Sequence, residues 1–299
     1  MARAAWVRVG RRLLLVAAVL ILLASAYAFL IEPRWVQVTR VDVWLSHLPA
    51  ALDGVTIAHL SDLHVGPYIG APDIRRAAQA VNRLSPDLIV VTGDFVSRSA
   101  RHRVSCTQEL ATLKSRYGVY AVLGNHDVWL DADEAANALT QCGIGVLRDE
   151  SRSLAMGDAR LWLVGVEDVG LTADFEGSCC DWLRTMWPAK VARVEALLRS
   201  IPEDETRILL VHNPDLNEML GGEKIDLALS GHTHGGQVRL PLLGSLYIPS
   251  CFGRKYEAGL VQGPASPVYV NRGLGVITPP ARFGCRPEIT LLRLRRGQQ

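Results

Sequence analysis

Short apolar runs alternate with amphipathic stretches along most of the chain. Between residues 55 and 231 the apolar runs read VTIAHL, LIVV, VYAVL, RLWLVGV, RILLVH and DLALSG. The stretches around and between them predict helices near 71–84, 106–114, 131–141, 189–200 and 214–220. The last part of the chain is strand-rich and is punctuated by Gly and Pro. Because apolar runs that alternate with helical patterns are typical of βα units, we expect one α/β domain over residues 50–297.

The N-terminal segment contains one long run without any charge. Leu13–Ile31 holds nineteen uncharged residues, enough at about 1.5 Å per residue to cross a hydrocarbon core of about 30 Å. Arginines precede the run at positions 3, 8, 11 and 12, so the positive-inside rule predicts a cytoplasmic N-terminus and an exported domain. In a Gram-negative bacterium the exported side is the periplasm. The sequence therefore predicts a membrane anchor over residues 1–31 and a juxtamembrane linker over residues 32–49.

A cleaved signal peptide is the alternative interpretation of this segment. Ala24-Ser25-Ala26 and Ala26-Tyr27-Ala28 both have the small-x-small form that signal peptidase accepts. The apolar run is longer than the usual signal core of roughly 7 to 15 residues, which favours the anchor. In the alternative case the domain would be secreted.

Charge and cysteine usage narrow the function classes. The net charge is +2, but the first twelve residues hold four of the 32 basic residues and none of the 30 acidic ones. The remainder is therefore slightly acidic, which argues against a broad nucleic-acid surface. The six cysteines show no CxxC spacing, which argues against a zinc–thiolate site. Disulfides and buried free thiols both stay open for them.

Polar side chains cluster where the predicted strands end. They are Asp62 and His64 after VTIAHLS, Asp94 after LIVVTG, Asn125, His126 and Asp127 after VYAVLG, His212 after RILLV, and His232 and His234 after DLALSG. In open α/β sheets the loops at the carboxyl ends of the strands converge on one crevice, where ligands bind. A single Asp-x-His or Gly-Asp motif often arises by chance, but five of the eight histidines fall in these clusters. We therefore expect five loops to build one site.

The residue types in the clusters indicate a metal centre. Carboxylate, amide and imidazole ligands without thiolates suit Mn, Fe or Zn. On an extended backbone Asp62 and His64 would share one face, and so would His232 and His234. Glycines adjoin these residues at positions 93, 124, 231, 235 and 236. They would let the backbone turn tightly or come close to a bound group, and Gly235 and Gly236 would leave room for a substrate phosphate.

As a set, these residues resemble the five motifs of the calcineurin-like metallophosphoesterases, over about residues 57–239. The longer stretches LSGHTHGGQ, VHNPD, YVNRGLG and PEITLLRL are similar to the membrane-associated phosphodiesterase branch. That branch includes relatives of the UDP-2,3-diacylglucosamine pyrophosphatase of lipid A synthesis. The resemblance implies an α/β fold, a four-layer α/β/β/α sandwich of two mixed sheets, here preceded by one transmembrane helix. It also implies an enzyme that hydrolyses a phosphodiester or pyrophosphate bond with two divalent metal ions.

The resemblance also implies a role for each candidate residue. One metal would be held by Asp62, His64 and His234, and the other by Asn125, His212 and His232. Asp94 would bridge the two metals. His126 would ligate neither metal, and would steady the phosphoryl oxygens and protonate the leaving oxygen. For Asp127, orientation of His126 and capping of the next turn both stay open.

One departure from the family pattern concerns the orientation of His126. Relatives often have Gly-Asp-x-x-Asp, in which the second carboxylate orients the catalytic histidine, whereas this chain has Ser97 in GDFVS. The orientation of His126 would then fall to another group. Candidates for contact with the substrate phosphate are Arg254, Lys255, Tyr256 and Arg282, since arginine binds phosphate with two hydrogen bonds. Solvated surface residues are the alternative interpretation of these four.

The complete ligand set favours an active hydrolase over a non-catalytic metal-binding scaffold. The expected partners are a phosphoester substrate, with a lipid-linked one as a candidate, and the membrane through the N-terminal helix. No nucleic acid is expected. The predicted export of the domain conflicts with UDP-2,3-diacylglucosamine as substrate, because that lipid is made on the cytoplasmic side. A broad-specificity exported phosphodiesterase or phosphomonoesterase is therefore the alternative function.

Overall fold

The computed structural model describes residues 2–170 and 178–297 of the chain. Within these ranges the helices are α1 Ala2–Ala26, α2 Ala71–Leu84, α3 Arg103–Leu110, α4 Asn125–Gln141 and α5 Cys179–Arg199. The strands are β1 Gln37–Leu45, β2 Thr56–Leu60, β3 Leu88–Thr92, β4 Val119–Val122, β5 Gly145–Val146, β6 Glu150–Met156, β7 Ala159–Val166, β8 Thr206–Val211, β9 Leu227–Ser230, β10 Arg239–Leu240, β11 Gly244–Ser245, β12 Gly259–Gln262, β13 Pro267–Val270 and β14 Glu288–Arg296.

Two six-stranded mixed sheets form the centre of the domain. Their strand orders are β1-β14-β2-β3-β4-β5 and β12-β13-β9-β8-β7-β6. In the first sheet β2, β3 and β4 run parallel and β14 is antiparallel to β2. In the second sheet β7, β8, β9 and β13 are parallel and the two edge strands are antiparallel. Strands β10 and β11 form a separate short hairpin.

The strand β3 shows why the sheets lie between helical layers. Its residues are buried on both faces, as expected for a parallel strand that reads as a continuous apolar run. Ile89 and Val91 pack toward α2, α3 and α4, whereas Leu88 and Val90 belong to the core between the two sheets. A third core joins the outer face of the second sheet to α5. The predicted four-layer α/β/β/α architecture is thereby confirmed.

The stretch 32–49 differs from the expected juxtamembrane linker. It contains β1, which pairs in parallel with β14 over nine residues, from Gln37 opposite Glu288 to Leu45 opposite Arg296. Val43 and Leu45 are buried, whereas Asp42 and Trp44 are exposed, the period of two that a half-buried edge strand requires. The linker prediction is therefore wrong, and the first sheet extends to this segment. The assignment of residues 1–31 to an anchor stays a prediction.

The N-terminal helix stands apart from the sheets. Among the described residues, one helical stretch, Val9–Arg34, is long and apolar enough to cross a membrane. Between Leu13 and Leu23 its aliphatic side chains are exposed, for example Leu13 at 65% and Leu22 at 68%. An apolar helix of this length with an unburied surface suggests a membrane protein. A signal sequence has the same length and composition.

Candidate metal centre

The predicted site residues come together at one edge of the two sheets. Strands β2, β3 and β4 of the first sheet end there, and so do β8 and β9 of the second. Asp62, Asp94 and His232 each follow the last residue of their strand by two positions. Loops at the carboxyl ends of parallel strands from both sheets therefore meet at this edge.

The first group of donor atoms surrounds His64. Its Nε2 lies 3.1 Å from His234 Nε2 and 3.3 Å from Asp94 Oδ2. Asp62 Oδ1 lies 3.3 Å from His234 Nε2. All four residues are at least 98% buried. A carboxylate that follows β2, a second carboxylate that follows β3 and two imidazoles thus lie close together.

The second group lies beside the first and shares Asp94 with it. His232 Nδ1 lies 3.1 Å from Asn125 Oδ1 and 3.2 Å from His212 Nε2. The Nε2 of His212 lies 3.2 Å from Asp94 Oδ2, the same oxygen that approaches His64. One carboxylate oxygen is therefore placed between the two groups. Asn125 and His232 are partly exposed, so this side of the site is open to solvent.

The donor set fits divalent cations. Two imidazole nitrogens at 3.1 Å and two buried carboxylates bring several lone pairs together, and a cation would satisfy them. Burial lowers the pKa of His232 to about 3 and that of His234 well below its ordinary value. Both imidazoles are therefore neutral at physiological pH, which is the form that binds a metal. The family and this cluster together imply divalent metal ions.

Backbone conformation at the site differs from the expected extended geometry. Asp62 and His64 have φ angles of 49° and 44°, and His232 and His234 have 68° and 52°. Asp94 adds a fifth, at 56°. Such left-handed conformations cost on the order of 1 kcal/mol or more each outside glycine and are concentrated at functional sites. The prediction that an extended backbone aligns each pair on one face is therefore wrong, and tight turns bring the side chains together instead.

Glycines make this crowding feasible. A Cβ on Gly93 would lie 2.5 Å from the nitrogen of Gly124, and one on Gly124 would lie 2.7 Å from the nitrogen of Asp94. A Cβ on Gly231 would collide with the side chains of Ser61 and Asp62. These glycines therefore act as spacers, as predicted, and the space that a side chain would take at each of them is filled by neighbouring protein atoms. Gly235 and Gly236 likewise face protein side chains, so the prediction that they leave room for a substrate phosphate is not supported by their surroundings.

The ring of His126 lies at the open side of the site. Its Nδ1 lies 2.7 Å from the carbonyl oxygen of Ser97. An Nδ1–H that donates to this carbonyl leaves Nε2 free to take up and give a proton. Ser97, which departs from the family pattern, therefore contacts His126 through its backbone carbonyl. One ring nitrogen of His126 also lies within 4.8 Å of donor atoms of His64 and Asp94.

Asp127 supports the loops of the site and does not contact the His126 ring. Its carboxylate accepts hydrogen bonds from the backbone N–H groups of Asp94 at 2.8 Å, Phe95 at 3.0 Å and Gly124 at 3.0 Å. In the bond from Gly124, the carboxylate at the third position of α4 accepts from the N–H of the N-cap residue, which is one half of a capping box. Of the two open roles, capping of the turn is the one that the structure supports.

The four candidate phosphate contacts have structural partners instead. Arg282 is fully buried and donates to the carbonyl groups of Arg272, Gly273, Gly275 and Cys285. Lys255 and Tyr256 both bond the carboxylate of Glu218, and Arg254 bonds the carbonyl of Ser245 at 3.2 Å. Arg282 is close enough to the metal centre for its charge to contribute to the lowered pKa of His234, but none of the hydrogen bonds described for these four residues reaches a proposed ligand side chain.

Two supporting groups were not predicted from the sequence. The carbonyl oxygen of Thr92 lies 2.7 Å from His212 Nδ1 and so orients that ring. Asp168, which follows β7, is buried, and burial raises its pKa, with the like charge of Asp94 adding to the increase. Every residue has a backbone carbonyl, so the contact of the Thr92 carbonyl with His212 could not be predicted from residue type. Asp168 lies outside the sequence motifs that indicated the site.

Comparison with known proteins identifies the family. The model of the calcineurin-like phosphoesterase family matches residues 55–236, more than half of the chain. The chain belongs to this family. It is accordingly a metal-dependent hydrolase of phosphoric esters.

Several relatives share nearly the whole length of this metallophosphoesterase. An uncharacterized metallophosphoesterase, YkuE of Bacillus subtilis, is 32% identical over 90% of this chain and 89% of its own. The phosphodiesterase YaeI of Escherichia coli is 30% identical over 95% and 98%. A bovine transmembrane protein with a metallophosphoesterase domain is 32% identical over 86% of this chain and 57% of its own. Relatives of this name and the N-terminal apolar helix together suggest a membrane protein.

Proposed function

We propose that this metallophosphoesterase hydrolyses a phosphodiester or pyrophosphate bond at a centre of two divalent ions, Mn, Fe or Zn. The observation that carries the proposal is the position of Asp94 Oδ2, 3.3 Å from His64 Nε2 and 3.2 Å from His212 Nε2. One carboxylate oxygen within reach of both donor groups suits a ligand shared by two ions. The relative named as a phosphodiesterase supports the choice of bond.

The proposed ligands divide between the two groups of donor atoms. Asp62, His64 and His234 would hold one ion, and Asn125, His212 and His232 would hold the other. When bound, two such ions make a water molecule acidic enough to attack at neutral pH and offset charge on the phosphoryl oxygens. In the hydrolysis the water oxygen bonds to phosphorus while the bond to the leaving oxygen breaks. One proton goes to the leaving oxygen and the other to solvent.

His126 is the proposed proton donor to the leaving oxygen. Its ring lies at the partly exposed side of the centre, and the Ser97 carbonyl fixes its orientation through Nδ1. The opposite ring nitrogen is then available to carry the proton. General acids of this kind contribute typically about 100-fold to 10,000-fold to rate.

The disulfide favours a domain on the outer face of the membrane. Cys180, at the start of α5, is bonded to Cys251, and disulfides persist in oxidising compartments. This supports the orientation predicted from the N-terminal arginines. The disulfide also favours an exported phosphoesterase that acts on a lipid-linked or soluble substrate over a cytoplasmic enzyme that hydrolyses UDP-2,3-diacylglucosamine.

Orientation is tested with reporters fused after residue 299. An alkaline phosphatase fusion is expected to be active and a green fluorescent protein fusion dark, because the first needs export and the second does not fold well outside. The reverse pattern would place the domain in the cytoplasm and return the nucleotide lipid to the candidate substrates.

Metal removal tests the proposed activity. The full chain in detergent, supplied with Mn²⁺, is expected to hydrolyse bis-p-nitrophenyl phosphate and to lose at least about 99% of that rate in chelator, since the ions supply the nucleophile. Restored Mn²⁺ should restore the rate. Turnover that persists in protein shown by elemental analysis to be metal-free would refute the proposal. Bound metal without turnover of any diester, pyrophosphate or monoester would favour the scaffold alternative.

A further inference from the structure

An exposed apolar loop follows the last proposed ligand along the chain. Strands β10 and β11 form a hairpin, and residues 240–247 are here called the hairpin loop. Leu242, Leu243, Leu246 and Tyr247 all lie with most of their side-chain surface in solvent. Leu242 has a φ of 67°, which is rare for a bulky residue. A run of exposed apolar side chains next to an active site marks an interaction surface.

The end of the N-terminal apolar helix is fixed to residues 282–285. The ring of Tyr27 meets that of Phe283 edge-on with centroids 6.2 Å apart. The carbonyl of Ala28 accepts from the nitrogen of residue 282 at 2.9 Å. Glu32, which is 1% exposed, accepts from the backbone nitrogens of residues 284 and 285 at 3.0 and 2.6 Å. The helix therefore leaves the domain from this segment.

The same segment supports the base of the hairpin loop. The N–H of Arg239 donates to the carbonyl of Phe283 at 2.7 Å, and the N–H of Phe283 donates to Gln237 at 3.0 Å. Residues 282–285 are thus bonded on one side to the apolar helix and on the other to the hairpin. The hairpin loop therefore lies beside the end of the apolar helix.

Aromatic and basic side chains surround this place. The guanidinium of Arg286 lies 4.0 Å from the ring centroid of Trp35, and Trp35 is itself exposed. Arg34 is also exposed. Tryptophan with arginine is typical of the interface between hydrocarbon and headgroups, and the positive charge suits anionic lipid.

A groove of about 200 Å³ is lined by residues of the hairpin loop and by a proposed metal ligand. Leu246 and Tyr247 contribute to its lining, and so do Ile277, Pro279 and His234. Most of the lining is apolar, whereas a water-soluble phosphoester would need polar contacts. The groove therefore adjoins both the exposed apolar loop and the proposed ligand His234.

We propose that the hairpin loop is a second membrane contact and that the groove behind it takes the apolar part of a lipid phosphoester. This inference rests on the proposed function and on the helix spanning the membrane. A lipid is the occupant that the surroundings favour, because residues 282–285 connect the loop to the end of the apolar helix through hydrogen bonds. The substrate class would then be an amphiphilic phosphodiester that never leaves the bilayer.

Contact with the bilayer is tested by fluorescence quenching. The full chain carrying Leu243→Trp is reconstituted in phosphatidylethanolamine and phosphatidylglycerol vesicles with brominated acyl chains. Val104→Trp on α3 is the matched control, since Val104 and Leu243 are both 63% exposed. After subtraction of the seven native tryptophans, the added emission should be quenched at 243 and not at 104. Absence of quenching at 243, as for a loop that binds another protein, overturns the proposal.

The route to the metal centre is tested by a ratio of two rates. Phosphatidyl-p-nitrophenol in the vesicles and bis-p-nitrophenyl phosphate in solution release the same leaving group. Leu243→Asp should lower the ratio of the lipid rate to the soluble rate by about tenfold, because a charge opposes insertion. Val104→Asp should leave the ratio as it is. An unchanged ratio in Leu243→Asp overturns the lipid route alone, whereas inactivity of the unsubstituted chain on both diesters counts against the proposed function.

Discussion

Replacement of Asp94 by alanine is expected to lower phosphodiester turnover at least about a thousandfold, or ~4 kcal/mol of transition-state stabilisation. The side chain is placed between both donor groups, with Oδ2 near His64 and His212. Its Oδ1 also accepts from the nitrogen of His126 at 2.9 Å. Loss of one carboxylate would therefore remove the proposed shared ligand and disturb the loop that carries the proton donor.

The measurement is kcat with bis-p-nitrophenyl phosphate, taken together with metal content and thermal stability. Asp215→Asn serves as the control, since Asp215 is another buried carboxylate beyond a strand end but bonds Ser250 and Cys251. It should retain turnover and two metals. Normal turnover by an Asp94→Ala variant would show that the reaction does not depend on a metal ligand shared through this carboxylate.

Replacement of His126 by asparagine is expected to reduce the rate without removing the metals. The loss should depend on the leaving group, about tenfold for p-nitrophenolate and about a thousandfold for a simple alkoxide, because a poor leaving group needs the proton more. His64→Asn is the matched variant. As a proposed ligand with both ring faces buried among other donors, it should lose metal as well as activity.

The comparison of these two histidines addresses an ambiguity in the geometry. A ring nitrogen of His126 lies close enough to His64 and Asp94 to join a metal site. Equal loss of metal in His126→Asn and His64→Asn would make His126 a ligand. A rate loss independent of the leaving group would likewise contradict its role as proton donor.

The fold was predictable wherever the residue types of a segment indicate which of its faces are buried. The run LIVVT predicts a strand buried on both faces, and the structure places it at the centre of the first sheet. The strand β1 was missed because Arg40 and Asp42 interrupt its apolar residues. At a sheet edge those charges face water, so they cost nothing there.

Convergence of the candidate site was also predictable, but its local geometry was not. Polar residues after successive strands meet because parallel strands end at one edge. The left-handed φ angles at Asp62, His64 and Asp94 could not be predicted from residue type, because contacts with the surrounding structure offset their conformational cost. The contact of His126 with Ser97 was hidden for a related reason: every residue has a carbonyl, so only the folded chain shows which one faces the ring.

We propose that seven side chains hold two ions, with Asp94 between them. Anomalous diffraction from crystals of the full chain loaded with Mn²⁺ measures this most directly. We expect two peaks, one within bonding distance of Asp62, His64 and His234 and the other of Asn125, His212 and His232, with Asp94 touching both. A single peak, or two peaks that Asp94 does not join, would contradict the account.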